Sequence, residues 1–152
     1  MPQYASERSV AHSADEMFAL VADIEAYPKF VPLCQALVIR GRNVGGASEI
    51  LVADMTVAYG PIRETFTTRV TLDKPGHVID AAYLDGPFRH LDSRWSFLPR
   101  GPKSCTVHFA IDYEFRSRSL GLLMGSVFDA AFRKFATAFE VRADAVYGVA
   151  PA

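Results

Sequence analysis

Cysteine is scarce in this chain: Cys34 and Cys105 are its two copies. They lie far apart, form no CxxC pair and have no paired histidines nearby. A disulfide framework or thiolate metal centre has no local support, and buried thiols in a reducing compartment are expected. Charge of one sign is not in excess either, the formal net charge being -1 over 152 residues. Bulk attraction to nucleic acid needs a lopsided chain, so DNA is not an expected partner. No apolar run reaches the roughly 18 residues that a membrane-crossing helix requires. The first residues, Met-Pro-Gln-Tyr-Ala-Ser-Glu-Arg, contain no apolar core of an export signal and no Arg/Ser-rich amphipathic arm. A bacterial cytoplasmic location is the expectation. Motifs of catalysis are missing too. His12, His77, His90 and His108 are scattered without an HExxH pair, and GxSxG, GxxxxGK[ST] and GxGxxG in a βαβ context do not occur. Neither a metal, a cofactor nor an enzymatic activity is expected.

What the chain does have is apolar content, 50% of residues, concentrated in two kinds of pattern. The stretch Ser119–Tyr147 lacks proline, and Met124, Phe128, Ala131, Phe135, Phe139 and Val146 recur at helical spacing. Leu120, Leu123 and Val127 widen that stripe at its start. A helix over Leu120–Val146, about 40 Å long at roughly 1.5 Å per residue, is stable only against an extended apolar surface. Gly121 and Gly125 within it fit close helix–sheet contact better than a membrane dimer, because Arg118, Asp129, Arg133 and Lys134 flank them.

The rest of the chain reads mainly as strands. Residues 3–11 form a short first strand. Ser13-Ala-Asp-Glu16 is a capping box opening a short helix through Met17, Phe18, Leu20 and Val21. Asp23 is positioned to cap a second short helix, limited by Pro28. Six strands follow, over 36–44, 49–59, 62–72, 78–84, 91–98 and 105–115. Their punctuation is Asn43–Gly46, Gly60-Pro61, Asp73–Gly76, Asp85–Pro87 and Pro99–Pro102. The last strand alternates most cleanly: Cys105, Val107, Phe109, Ile111, Tyr113 and Phe115 on one face, His108, Asp112, Glu114 and Arg116 on the other. Such a meander can bury its inner face only under the terminal helix, giving one domain over residues 1–152.

Asp112 and Glu114 read as outer-face residues rather than a catalytic pair. Glu64 shares the parity of Phe66, so either an inward carboxylate or an edge position accounts for it. Arg40, Arg42, Arg133 and Lys134 do not interleave with aromatics as a nucleic-acid-reading surface would. A sheet curled round one helix encloses more volume than the helix fills, so a cavity of roughly 300–1,000 Å³ lined by rings and aliphatics is expected.

Tyr27-Pro-Lys-Phe-Val-Pro-Leu-Cys34, Ile62-Arg-Glu-Thr-Phe-Thr-Thr-Arg-Val70, Gly86-Pro-Phe-Arg-His-Leu-Asp-Ser-Arg-Trp-Ser-Phe97 and Asp112-Tyr-Glu-Phe115 resemble the coenzyme Q-binding, START-like family. Phe139-Glu-Val-Arg142 near the end of the helix adds to that likeness, which spans about residues 3–146. The resemblance implies an α+β helix-grip fold, in which a curved antiparallel sheet grips the C-terminal helix over a hydrophobic tunnel. Its respiratory branch implies a non-catalytic carrier of ubiquinone or a related isoprenoid lipid, with transient contact to the inner membrane surface. Its other branch, the ribosome association toxins, implies binding to ribosomal subunits. For the lipid, Phe128, Phe132, Phe135, Phe66, Trp95, Phe97, Val107 and Phe109 are the expected wall. Pro28, Phe30, Val31, Pro32 and Leu33 are the expected rim.

Overall fold

The computed structural model describes residues 3–45 and 48–148. In order they form β1 (Gln3–Val10), α1 (Ala14–Ala22), a 3-10 helix (Ile24–Lys29), β2 (Cys34–Gly45), β3 (Ser48–Tyr59), β4 (Ile62–Asp73), β5 (Val78–Asp85), β6 (Phe88–Gly101), β7 (Ser104–Phe115) and α2 (Arg118–Tyr147). One antiparallel sheet runs β1-β7-β6-β5-β4-β3-β2. Strands β2 to β7 are the expected meander. β1 closes beside β7, with Gln3 opposite Asp112 and Val10 opposite Cys105. The architecture is the α+β helix grip: a curved sheet, short helices after the first strand and a long terminal helix.

Local chemistry explains the element ends. At α1 the Ser13 hydroxyl accepts from the Glu16 N–H at 3.1 Å, and the Glu16 carboxylate accepts from the Ser13 N–H at 3.1 Å. Asp23 does not cap the next segment. It ends α1, its N–H donating to Ala19, and the 3-10 helix begins at the following residue, leaving the Asp23 side chain without a capping bond. β2 runs through Gly45, so Asn43 pairs with Ile50 instead of turning; the remainder of that expected turn includes Gly46, outside the described residues. β6 outlasts its expected end because a register shift between Pro99 and Gly101 absorbs the proline. Further shifts at Cys34/Ala36 and Ile39/Gly41 curl the β2 edge.

α2 starts at Arg118, capped by the Ser117 hydroxyl, which accepts from the Leu120 N–H, and ends at Gly148 with φ 89. Met124, Phe128, Ala131, Phe132, Phe139 and Ala143 are buried, and Phe135 is partly so. Two members of the expected buried stripe are not. Leu123 is 61% exposed because it lies about 100° round the helix from Met124. Val146 is 50% exposed, being nearly a full turn beyond Ala143. Both cysteines are free and buried. No helix among the described residues is long and apolar enough to cross a membrane.

Candidate functional site

α2 crosses the concave face without filling it. A cavity of about 120 Å³ remains, walled by the sheet, the helix and the segment after the 3-10 helix. Nine of the thirteen residues expected at a ligand site line it: Val31, Pro32, Leu33, Phe66, Trp95, Phe109, Phe128, Phe132 and Phe135. The other four lie elsewhere. Phe97 and Val107 are cross-strand partners, both buried, and Phe97 meets Phe18 of α1 edge-on at 6.2 Å; α1 occupies that end of the sheet. Phe30 turns edge-on to Phe139 at 5.1 Å and carries the Arg142 guanidinium over its ring at 5.3 Å. Pro28 stays within the 3-10 helix.

The cavity is smaller than the expected range because rings pack against one another along its wall, on the sheet, on the helix and between them. Trp95 and Phe109 have centroids 4.4 Å apart, Trp95 and Phe139 5.0 Å, and Phe132 and Phe135 5.2 Å, the last two pairs near perpendicular. Such edge-to-face contacts favour a fixed arrangement of rings. A void of this size suits a guest about as large as benzene.

Polar atoms on the wall are few. Tyr27, which opens the Tyr27–Cys34 run, lines the cavity, and so do Thr68 and Ser93, which were not among the expected site residues. The two small ones were legible from strand alternation, since Thr68 continues Phe66 and Ser93 lies between Leu91 and Trp95 on the same parity. The Tyr27 O–H donates to the Val21 carbonyl. Burial, and secondarily the nearby Cys34 and Asp23, push its pKa upward, so the phenol stays neutral. Thr68 and Ser93 therefore supply the hydroxyls a guest could meet. Among the described residues, no Asp, Glu, His, Lys, Arg or Cys lines this space. No described residue on its wall can exchange a proton near neutral pH.

An outer groove of about 330 Å³ shares Pro32, Leu33 and Ala131 with the cavity, and Tyr59, Ser126, Val127, Ala130 and Lys134 complete it. This marks the mouth. Leu33 sits there at φ 68, a conformation unfavourable for a side chain with a Cβ, and its carbonyl accepts from the Ala58 N–H at 3.0 Å. Glu64 pairs across the strands with Val57, which lines the cavity, but Glu64 itself is half-buried outside that lining.

The remaining titratable groups serve the outer surface and the element junctions. Asp112 lies 3.0 Å from His90 Nε2 and accepts from the Gln3 amide at 3.1 Å, and these bonds hold its carboxyl below the ordinary aspartate value. His12, His77 and His108 contact Asp144, Asp15 and Glu7 at 2.7, 2.7 and 3.7 Å. No group of three potential ligands for a metal ion occurs among the described residues.

Residues 10–140 match the family model described as polyketide cyclase / dehydrase and lipid transport. The chain belongs to this family. Within the polyketide cyclase / dehydrase and lipid transport family it is 36% identical over 149 residues to the Ribosome association toxin RatA of Vibrio cholerae, covering 97% of this chain and 99% of that one. It is 29% identical over 150 residues to the mitochondrial Coenzyme Q-binding protein COQ10 homolog B of Xenopus laevis, covering 96% of this chain and 59% of that protein. The 18 kDa protein CC1736 from Caulobacter crescentus superposes with a TM-score of 0.80 at 34% identity, covering 98% of this chain and all of that one. The family's helix-grip fold, with the cavity seen here, can accommodate a hydrophobic guest.

Proposed function

We propose that this chain is a non-catalytic, cytoplasmic protein of the ribosome association type, binding a ribosomal subunit and blocking its union with the other. The observation that carries this reading is the end-to-end similarity to the toxin RatA, 36% identity across 99% of that protein. The coenzyme Q-binding relative is less similar, and the chain spans 59% of its length. A cavity wall without a proton-exchanging group supports a binding role over turnover. With a net charge of -1, contact with a ribosome depends on local surface and not on the field of the whole molecule. Overproduction in a bacterial host followed by sucrose-gradient sedimentation tests the proposal. The assembled-ribosome peak is expected to fall while separate subunits accumulate; an unchanged profile would refute it.

The cavity favours a second, compatible reading: the interior holds a hydrophobic molecule such as ubiquinone or a related isoprenoid lipid. Its present volume suits only a single ring or a short branched segment, so a full isoprenoid quinone enters only if the mouth at Pro32 and Leu33 widens into the outer groove. Each buried CH₂ contributes on the order of 0.8 kcal/mol, which lets a chain of a few isoprene units offset that opening. Trp95 is the single tryptophan and lies on the cavity wall, so its fluorescence reports occupancy. Added quinone is expected to quench Trp95 saturably, and solvent extraction of purified protein to release quinone. Neither effect occurring would remove this reading and leave the ribosomal one standing.

A further inference from the structure

Thr68 and Ser93 carry hydroxyls that the fold does not use. On the outer face of the same sheet the threonines are engaged: the Thr67 hydroxyl donates to Asp54 at 2.6 Å, and those of Thr56 and Thr65 lie 2.9 Å apart. Thr68 and Ser93 instead face the cavity, and neither side chain has a hydrogen-bond partner among the described residues. The third hydroxyl on the wall, that of Tyr27, is committed to the Val21 carbonyl. Strand formation does not call for these groups, since valine at 68 and alanine at 93 would suit the same backbone and the same space.

Their neighbours leave them uncovered. Thr68 stands opposite Ala53 on β3, and Ser93 opposite Ala81 on β5, so a methyl group is all that flanks each of them on that side. They also lie deep. Thr68 is two strands and Ser93 four strands in from the β2 edge, whereas the mouth opens at Pro32 and Leu33, immediately before β2. A guest entering by the mouth therefore brings its leading end to these hydroxyls. Trp95 follows Ser93 by two residues on the same face and packs on Phe109 at 4.4 Å, which gives that end of the cavity a surface of rings. A flat leading group fits such a surface.

We infer that Thr68 and Ser93 select the guest of this cavity: a neutral single ring carrying a carbonyl or ether oxygen, which enters oxygen first and accepts a hydrogen bond from one of the two hydroxyls. Two strands, roughly 10 Å, separate the pair, so one oxygen engages one of them and a ring with oxygens on opposite edges engages both. A carboxylate is excluded, because among the described residues the wall offers no cation to replace its lost hydration. A plain hydrocarbon is held by buried area alone and forgoes the hydrogen bond. The inference rests on the reading of the cavity as a binding site and not on the ribosomal one.

NMR titration of the full-length protein with three probes of similar size, benzaldehyde, toluene and benzoate, tests it. Benzaldehyde is expected to bind about tenfold more tightly than toluene, the worth of one hydrogen bond, and benzoate more weakly than either. NOEs are expected from the aldehyde proton to the β-protons of Thr68 or Ser93. In the double variant Thr68→Val, Ser93→Ala, toluene should bind as it does to wild type while the advantage of benzaldehyde disappears; unchanged toluene binding shows that the cavity itself is intact. Equal affinity of wild type for benzaldehyde and toluene would overturn the inference and leave the cavity a binding site. So would a double variant that keeps the preference, an aldehyde proton whose NOEs run to Leu33 instead, or benzoate binding as tightly as benzaldehyde. Wild type that binds neither neutral ring would remove the reading of the cavity as a binding site, and this inference with it.

Discussion

Asp112 shows how a single outer-face carboxylate is tied into the sheet. It sits on β7 directly opposite Asp92 on β6, an arrangement of like charges that costs stability unless offset. His90 and Gln3 provide the offset, and the resulting folded-state pKa lies below the ordinary value. A group whose pKa is depressed on folding contributes stability that is full above its unfolded pKa, near 3.9, and disappears as pH falls through the folded one. Carbon-detected NMR titration is expected to find Asp112 titrating below ordinary aspartates, and His90→Ala to move it upward. The cysteines behave in the opposite sense. Burial pushes the Cys34 and Cys105 thiols up to about 11. Because the thiolate is the reactive form, neither should react appreciably with a thiol reagent at pH 8 in the native protein, and both should react at once in denaturant.

At the level of the element, the two helices owe their stability to different things. α1 spans only Ala14–Ala22 and depends on its start, where Ser13 and Glu16 satisfy each other's N–H groups. Ser13→Ala should lower unfolding stability by about 1 kcal/mol, measured by urea denaturation. α2 depends on what it buries. Phe139, 1% exposed, meets Tyr27, Phe30 and Trp95 at 5.3, 5.1 and 5.0 Å, so Phe139→Ala should cost about 3–5 kcal/mol in the same measurement. The helical face through Met124, Phe128 and Phe139 was readable from spacing alone, as were the capping box and the alternation of β7. Leu123 and Val146 were not, because periodicity says which way a side chain points and not how far the opposing surface extends. Asp23 had the chemistry of a cap, but its backbone was already committed to ending α1.

For the whole molecule, spacing and composition led to a curved sheet closed by one helix, and most of the expected cavity residues do meet at one place. The volume they leave was not legible. It depends on how Trp95, Phe109, Phe132 and Phe135 tilt against one another, and no linear pattern encodes interplanar angles. Phe97 and Val107 were indistinguishable in sequence from Trp95 and Phe109. Only the placement of α1 over that end of the sheet separates the two groups.

The order of the elements also sets a schedule for birth on the ribosome. β1 is made ahead of the other strands, yet its hydrogen-bonding neighbour β7 is complete only at Phe115, and the plug for the sheet's oily inner face follows all seven strands. At roughly 5–20 residues per second, the first strand waits about 5–20 s for its partner, while the meander emerges with its greasy side bare. A nascent chain arrested after Ser117 should be rescued from precipitation only by a chaperone or by supplying the Arg118–Tyr147 peptide in trans, with pelleting assays as the readout. The sheet is thus complete before the segment that covers it exists.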